Sequence, residues 1–126
     1  MMKNGKIILV IDDDKDIGMM IEMMLQFKGY AVTVLQNSEH AETLMLEGNI
    51  QLLIMDMLLS GTNGVDICRD FKDKSSIAHI PIIMMSAHPD AKAICLKAGA
   101  NDFILKPFDM EEMYLMINKF IIKAST

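Results

Sequence analysis

The sequence predicts a single α/β domain whose core is an open, doubly wound parallel sheet of five strands, covered by five helices. Three observations support this. Short apolar runs alternate five times with helical apolar stripes along the 126 residues, as in consecutive βαβ units with right-handed crossovers. The central run, residues 52–56, is apolar until its last position, as expected for a strand buried on both faces. Five units cannot close an eight-stranded barrel, and the common order of an open five-stranded sheet is 2-1-3-4-5.

The first unit is a strand at residues 6–11 followed by a helix. The strand stops abruptly at three aspartates, residues 12–14. From Ile17 onwards apolar residues recur at helical spacing until Gly29 ends the pattern. The apolar positions predicted to face the sheet are Ile17, Met20, Ile21, Met24 and Leu25.

The second unit combines a more polar strand, residues 30–35, with a short helix that Asn37 or Ser38 caps and Gly48 ends. Polar residues in this strand, such as Thr33, suit an edge of the sheet. The residues of the helix that turn inward are predicted to be Ala41, Leu44 and Met45.

The third unit joins the central strand to a helix that begins near Asn63-Gly64 and loses its pattern in the polar residues 72–76. The fourth strand, residues 81–85, starts with a proline, where a missing backbone N–H does least harm. His88-Pro89 opens the next helix, which Gly99 ends. The core-facing residues of that helix are predicted to be Ala91, Ile94, Cys95 and Ala98.

The fifth unit is a strand at residues 102–105, closed by Lys106-Pro107, and a last helix. Asp109, with Glu112 three residues later, forms a start that resembles a capping box. The apolar face of this helix consists of Met113, Met116, Ile117, Phe120 and Ile121.

Composition and charge exclude several classes of function. A net charge of -5 argues against nucleic-acid binding, which needs clustered Lys and Arg. No apolar run approaches the roughly 18 residues of a membrane span, and the N-terminus lacks a signal-peptide core. Cys68 and Cys95 lie in helical patterns without metal-ligand spacing, as buried thiols of a reducing compartment would. We therefore expect one cytoplasmic domain over residues 1–126, with no nucleic-acid or membrane partner. The fourteen methionines are interpreted as packing residues, with an adaptable partner surface where they are exposed.

Polar residues end four of the predicted strands at the same edge of the sheet. Asp12 and Asp13 follow the first strand, Asp56 ends the third, and Ser86 and Lys106 follow the fourth and fifth. In the 2-1-3-4-5 order these strand ends line one crevice, where ligands bind in such sheets. Each residue also has an ordinary interpretation: a helix cap for Asp13 or its neighbour Asp14, a solvated rim position for Asp56, a loop start for Ser86 and a solvated tail for Lys106.

Three carboxylates placed close together repel one another, so some would be protonated or the cluster would bind a cation. Mg²⁺ suits the site, because it takes about six oxygens and needs only one or two protein carboxylates besides water and phosphate oxygens. Magnesium in turn favours phosphoryl chemistry, which needs a nucleophile, the metal, a lysine cation and a hydroxyl donor. The five residues supply all of these groups.

Four motifs together resemble the receiver domain of bacterial two-component response regulators: Ile11-Asp12-Asp13, Asp56 followed by Gly64, Ser86-Ala87 and Lys106-Pro107. The resemblance extends over residues 6–122. It implies the flavodoxin-like fold of the stand-alone, chemotaxis-regulator-like type. Chemotaxis regulators of this family have the 2-1-3-4-5 order, so the predicted order and the resemblance are not independent.

By resemblance, Asp56 is the acceptor of a phosphoryl group from the phosphohistidine of a sensor histidine kinase or a histidine phosphotransfer protein. Asp13, Asp56 and the backbone carbonyl of Leu58 would ligate Mg²⁺, with Asp12 acting through water. Ser86 and Lys106 would hold the phosphoryl oxygens, and the Lys106-Pro107 bond is expected to be cis.

The family's output implies a partner surface. Ser86 would move towards the phosphoryl group, and Phe103 would then turn inward as the aromatic switch residue, although a core aromatic on a strand explains Phe103 equally well. A downstream target protein would read the face built from the fourth helix, fifth strand and fifth helix. The domain would be a monomer or a weak dimer and would catalyse only its own phosphorylation and dephosphorylation.

Several residues depart from the family's usual pattern. Ser60 stands where proline is usual, so the loop after Asp56 is expected to be less rigid. Ser86 replaces the commoner threonine, and Phe103 replaces tyrosine, which leaves a switch driven by packing alone. Leu58 and His88 occupy positions that tune dephosphorylation in this family.

Other functions fit less well. A calcium loop starting at Asp12 would have Ile17 in place of its glycine. An FMN-binding flavodoxin would place phosphate beside three aspartates, which would repel it. A haloacid-dehalogenase-type phosphatase also uses an aspartate after the first strand, but residues 12–16 do not complete its motif. The main alternative is a receiver that binds partners without phosphorylation.

Overall fold

The computed structural model describes residues 7–121, and it shows five parallel strands in one sheet. The sheet order is β2-β1-β3-β6-β7, which confirms the predicted order once a small separate hairpin, β4-β5, is set aside. The strands are β1 (Ile7–Ile11), β2 (Ala31–Leu35), β3 (Ile50–Asp56), β4 (Leu58–Leu59), β5 (Thr62–Asn63), β6 (Ile82–Ser86) and β7 (Asp102–Leu105). The helices are α1 (Lys15–Phe27), α2 (Ala41–Leu46), α3 (Gly64–Lys72), α4 (Ala91–Lys97) and α5 (Met110–Ile117). Residues 6 and 122, the predicted limits of the domain core, lie outside the described range.

The sheet is buried on both faces, as its continuous apolar runs predict. Successive residues of β3 point to opposite sides. Leu53 and Met55 pack into a cluster with α2, α3 and α4, whereas Leu52 and Ile54 pack into a second cluster with α1 and α5. Two apolar layers therefore enclose the sheet and leave its carboxyl edge as the place where polar side chains collect.

Three helices begin at cap residues that the sequence predicts. The side chain of Asp14 accepts hydrogen bonds from the backbone N–H groups of Asp16 and Ile17. Asn63 caps α3, and Asp109 accepts from the backbone N–H of Glu112 at the start of α5. These side chains satisfy backbone donors that have no partner inside the first helical turn.

The predicted cap of α2 is wrong. The Asn37 carboxamide oxygen accepts from the Glu39 backbone N–H within a turn, and the helix begins only at Ala41. The cap residue, His40, makes no capping hydrogen bond through its side chain. Asn at this position stabilises a local turn in place of the helix start, a competition that is common for short polar side chains.

Three residues predicted to face the core are exposed. In α1 the buried residues are Gly18, Ile21 and Leu25, so Met20 and Met24 lie to one side of the contact stripe. Gly18 fixes this stripe, because a Cβ there would lie 3.0 Å from Val34 Cγ1 of β2.

In α4, Ile94 is 51% exposed. Only Ala91 and Cys95 of this seven-residue helix are buried. A short helix packs one narrow stripe against the sheet, and Ile94 falls beside that stripe.

The remaining predictions from composition concern cysteines and membrane spans. Cys68 and Cys95 are both buried and unpaired, as predicted. Burial raises the pKa of the Cys68 thiol to about 11, against a smaller opposing effect of Lys72. Among residues 7–121, every helix is too short or too polar to cross a membrane.

Candidate functional site

Three carboxylates meet at the carboxyl edge of the sheet. Asp12 and Asp13 follow β1, and Asp56 is the last residue of the neighbouring strand β3. One oxygen from each carboxylate lies within 4.8 Å of the others. Asp12 is fully buried, and only 13% of the Asp56 side chain is exposed. Side chains separated by more than forty residues of sequence are thus brought within reach of one small ion.

Lys106 supplies a positive charge to this cluster from the end of β7. Its Nζ lies 3.2 Å from Asp12 Oδ2 and 3.3 Å from Asp56 Oδ2. The backbone N–H of Lys106 donates to the Ser86 carbonyl at 2.8 Å, which ties the ends of β6 and β7 together. The Lys106-Pro107 peptide bond is cis, as expected from the resemblance.

Ser86 ends β6 beside this cluster and is almost fully buried. Its hydroxyl oxygen accepts from the His88 backbone N–H at 3.1 Å. That bond leaves the hydroxyl proton available for a group in the crevice. His88 and Leu58, which lie two residues beyond Ser86 and Asp56, are exposed.

The loop after Asp56 is held close to its own strand by Gly64. The Gly64 N–H donates to the Met57 carbonyl at 2.7 Å, and Met57 N–H donates to the Met85 carbonyl at 2.8 Å. A Cβ on residue 64 would lie only 2.5 Å from the Asp56 carbonyl oxygen. Glycine is therefore required here for the close approach of two backbone segments.

Sequence reasoning missed the hairpin and the contact that it makes with the cluster. Strands β4 and β5 pair antiparallel, and Gly61 between them has a φ of +73°. Ser60 precedes this glycine, and both its N–H and its hydroxyl donate to Asp13 Oδ2, at 3.0 and 2.6 Å. The dipeptide Ser60-Gly61 is a turn signal that could have located the hairpin, but it carries no information about Asp13.

The charges of the cluster are not balanced by the protein alone. Burial raises the pKa of the Asp56 carboxyl. Lys106 and a hydrogen bond with the Leu58 backbone act in the opposite direction, while Asp12 adds to the rise. Three carboxylates with a single lysine form a hard, oxygen-rich and electron-rich donor set. This set suits Mg²⁺ better than a soft metal ion.

Phe103 on β7 belongs to the apolar cluster that contains the α4 residues Ala91 and Cys95. Its side chain is only 7% exposed. The ring already points inward, so a movement from solvent into the core has little surface left to bury.

The sequence-family model described as 'Response regulator receiver domain' matches residues 8–118 of this chain. The chain belongs to the response regulator receiver domain family. It is 32% identical over 120 residues to the transcriptional regulatory protein ResD of Bacillus subtilis, which covers 94% of this chain and 49% of ResD. The receiver domain thus spans about half the length of the curated relatives that it matches.

Solved receiver structures have the same fold. The response regulator TrrA of Thermotoga maritima, in complex with Mg²⁺ and BeF, superposes with a TM-score of 0.82 at 26% identity, covering 92% of this chain and 99% of TrrA. The receiver domain of the sensor histidine kinase PA1611 of Pseudomonas aeruginosa, with magnesium coordinated in its active-site cleft, has a TM-score of 0.82 at 27% identity. The alignment covers 93% of this chain and 98% of the other.

Proposed function

We propose that this receiver domain accepts a phosphoryl group on Asp56 and signals the change to a protein partner. The observation that carries the proposal is the position of Lys106 Nζ, 3.2 and 3.3 Å from the carboxylates of Asp12 and Asp56. A lysine that bridges two buried acids neutralises charge where an anionic group would have to enter. Accepting a phosphoryl group is the general function of the family.

Asp56 is the best nucleophile in the cluster. Asp12 is completely buried and its Oδ1 accepts from the Asp14 backbone N–H, while Asp13 is bound by Ser60. Asp56 sits at the end of the central strand, partly open to the crevice. Asp56 also accepts hydrogen bonds, from Lys106 and from the Leu58 backbone. Unlike Asp12, it is 13% exposed, so a phosphorus atom in the crevice can reach one of its oxygens.

Mg²⁺ would be held by Asp13, Asp56 and the backbone carbonyl of Leu58, with Asp12 acting through a water molecule. When bound, the ion neutralises the charge of the phosphoryl oxygens. The donor set of the cluster suits this ion, and a crowded acid group without a counter-ion would be costly.

Ser86 and Lys106 are proposed to hold the phosphoryl oxygens. The Ser86 hydroxyl oxygen accepts a hydrogen bond from the His88 N–H. The hydroxyl can therefore donate its own proton to a phosphoryl oxygen. The Lys106 ammonium has three donors, enough for Asp12, Asp56 and a third oxygen. These contacts strengthen as charge moves onto the oxygens during transfer.

The transfer is an exchange of one phosphorus bond for another. An Asp56 oxygen forms a P–O bond while the P–N bond to the histidine of the donor breaks. The histidine nitrogen keeps the electron pair and can then take up a proton. The donor is a sensor histidine kinase or a histidine phosphotransfer protein, and the domain turns over only its own acyl phosphate.

The output surface is the face of α4, β7 and α5. A phosphoryl group draws the Ser86 hydroxyl towards the crevice, and the bond from Lys106 N–H to the Ser86 carbonyl passes the shift to β7. Because Phe103 is already buried, we propose that it repacks against α4. A downstream protein would read this face, and the domain would act as a monomer or weak dimer in the cytoplasm.

Acetyl phosphate with Mg²⁺ tests the proposal directly. Intact mass spectrometry should show one labile phosphoryl adduct that is absent in EDTA and absent in Asp56→Asn. Asp66→Asn, at an exposed aspartate of α3, is the matched control and should retain the adduct. Steady release of phosphate without an adduct would indicate a phosphatase instead. No adduct and no turnover would favour a receiver that binds partners without phosphorylation.

A further inference from the structure

Ser60 makes two hydrogen bonds to one oxygen of the acidic cluster. Its backbone N–H lies 3.0 Å from Asp13 Oδ2, and its hydroxyl lies 2.6 Å from the same oxygen. Both bonds join segments 47 residues apart in sequence. Among residues 7–121, no other hydrogen bond reaches the Asp13 carboxylate.

The hairpin that carries Ser60 directly follows Asp56. Leu58 pairs with Asn63 and Leu59 with Thr62, so Ser60 and Gly61 form a two-residue turn. Gly61, the second residue of the turn, has a positive φ, a backbone conformation that glycine adopts without steric cost. Asn63 at the other end caps α3 through Val65 N–H. The turn is therefore fixed at both ends, and it presents the two Ser60 donors at a fixed place.

These contacts constrain how Asp13 can face a cation. The two donors on Oδ2 restrict rotation of the carboxylate. The other oxygen, Oδ1, is therefore the one left to bind a cation. A ligand whose rotamer is already set loses less conformational entropy when a metal ion binds. Hydrogen bonds to charged carboxylates are also stronger than those between neutral groups.

We propose that Ser60 is a positioning residue that pre-orients Asp13 for Mg²⁺. The inference rests on the proposed function, since it requires that Mg²⁺ binds at this cluster. A proline at this position, the residue common in the family, lacks both donors. This chain therefore orients its metal ligand with a contact that the commoner sequence cannot make.

The expected effect is a loss of Mg²⁺ affinity. Partners that orient metal ligands are typically worth 10–100-fold in affinity, and Ser60 is exposed, so we expect about a 10-fold loss in Ser60→Ala. Ser60→Pro, which removes the N–H donor as well, should bind Mg²⁺ more weakly than Ser60→Ala. Ser60→Thr keeps both donors and should bind like the wild type.

Isothermal titration of the metal-free protein with MgCl₂ tests the inference, alongside thermal melting without metal. Thr62→Ala, on the paired strand of the same hairpin, is the matched control and should leave the affinity unchanged. Support requires weaker binding in Ser60→Ala and recovery in Ser60→Thr.

Three results would contradict a positioning role for Ser60. Unchanged affinity in Ser60→Ala overturns the inference, even if its melting temperature falls, because Ser60 would then be merely structural. Tighter binding also overturns it, since Ser60 would then compete with the ion. A wild type that does not bind Mg²⁺ overturns this inference and the proposed magnesium site together.

Discussion

Two lysines of this domain each bridge two carboxylates, in very different surroundings. Lys106 contacts Asp12 and Asp56 at the carboxyl edge, where the three side chains are 18%, 0% and 13% exposed. Lys74 contacts Glu42 and Asp70 between α2 and α3, where the exposed fractions are 34%, 39% and 59%. The same set of charges is thus present once in a crevice and once at the surface.

The difference indicates which arrangement serves function. Water and salt screen the pairs of Lys74, and holding flexible side chains together costs entropy, so such pairs stabilise a fold little. The acids around Lys106 have lost much of their hydration, a cost that apolar residues would have avoided. A chain that keeps charges in this crevice, with a third carboxylate beside them, has a site suited to chemistry.

The largest expected effect is that of removing each lysine. In metal-free buffer, Lys106→Met should lower the free energy of unfolding by about 3 kcal/mol, because it leaves buried carboxylates without a counter-charge. Lys74→Met should have a much smaller effect. Chemical denaturation measures both, and Mg²⁺ should restore part of the stability of Lys106→Met. Equal losses in the two variants would contradict the comparison.

A smaller effect is expected from removing the charge of Asp56. Its pKa is raised in the folded state, mainly by burial. The folded protein therefore holds this proton more tightly than the unfolded chain, and the ionised carboxylate reduces stability as pH rises through the acid range. Below the pKa of the unfolded chain, about 3.9, the cost disappears.

Asp56→Asn should consequently melt at a higher temperature than the wild type at neutral pH without metal. The gain should shrink as the pH is lowered towards about 4. Melting curves across this range, with Asp66→Asn as the exposed control, give the answer. A gain that grows on acidification would show that the sign is wrong.

The smallest effect concerns salt. At about 1 M KCl the screening length falls to roughly 3 Å, so the effect of Lys74→Met on stability should fade. The crevice is less accessible to counter-ions, and the effect of Lys106→Met should persist. Denaturation at low and high salt compares the two lysines within one experiment, and a parallel loss would remove the distinction between them.

The strands of the main sheet and their order could be predicted from sequence, because both depend on the pattern of apolar residues along the chain. Five apolar runs define the parallel strands, and the order of those strands places Asp12, Asp56 and Lys106 at one edge. Helix caps such as Asp109 could also be predicted, because a cap is a hydrogen bond between residues close together in sequence.

Very short strands, the orientation of a helix on the sheet and contacts between distant segments could not be predicted. The strands β4 and β5 have two residues each, too few for a period, so the hairpin was missed. Helix α1 rotates towards Gly18 because that residue permits close approach to β2, which exposes Met20. The bond from Ser60 to Asp13 depends on where the hairpin lies in space, and neither residue signals it.

Chemical trapping of the phosphorylated side chain tests most directly whether Asp56 carries the phosphoryl group. After treatment with acetyl phosphate and Mg²⁺, borohydride reduction converts an aspartyl phosphate to homoserine, and peptide mass mapping then locates that residue. We expect homoserine at position 56, with Asp12 and Asp13 unchanged. Homoserine at position 12 or 13, or at an exposed aspartate such as Asp66, would contradict it.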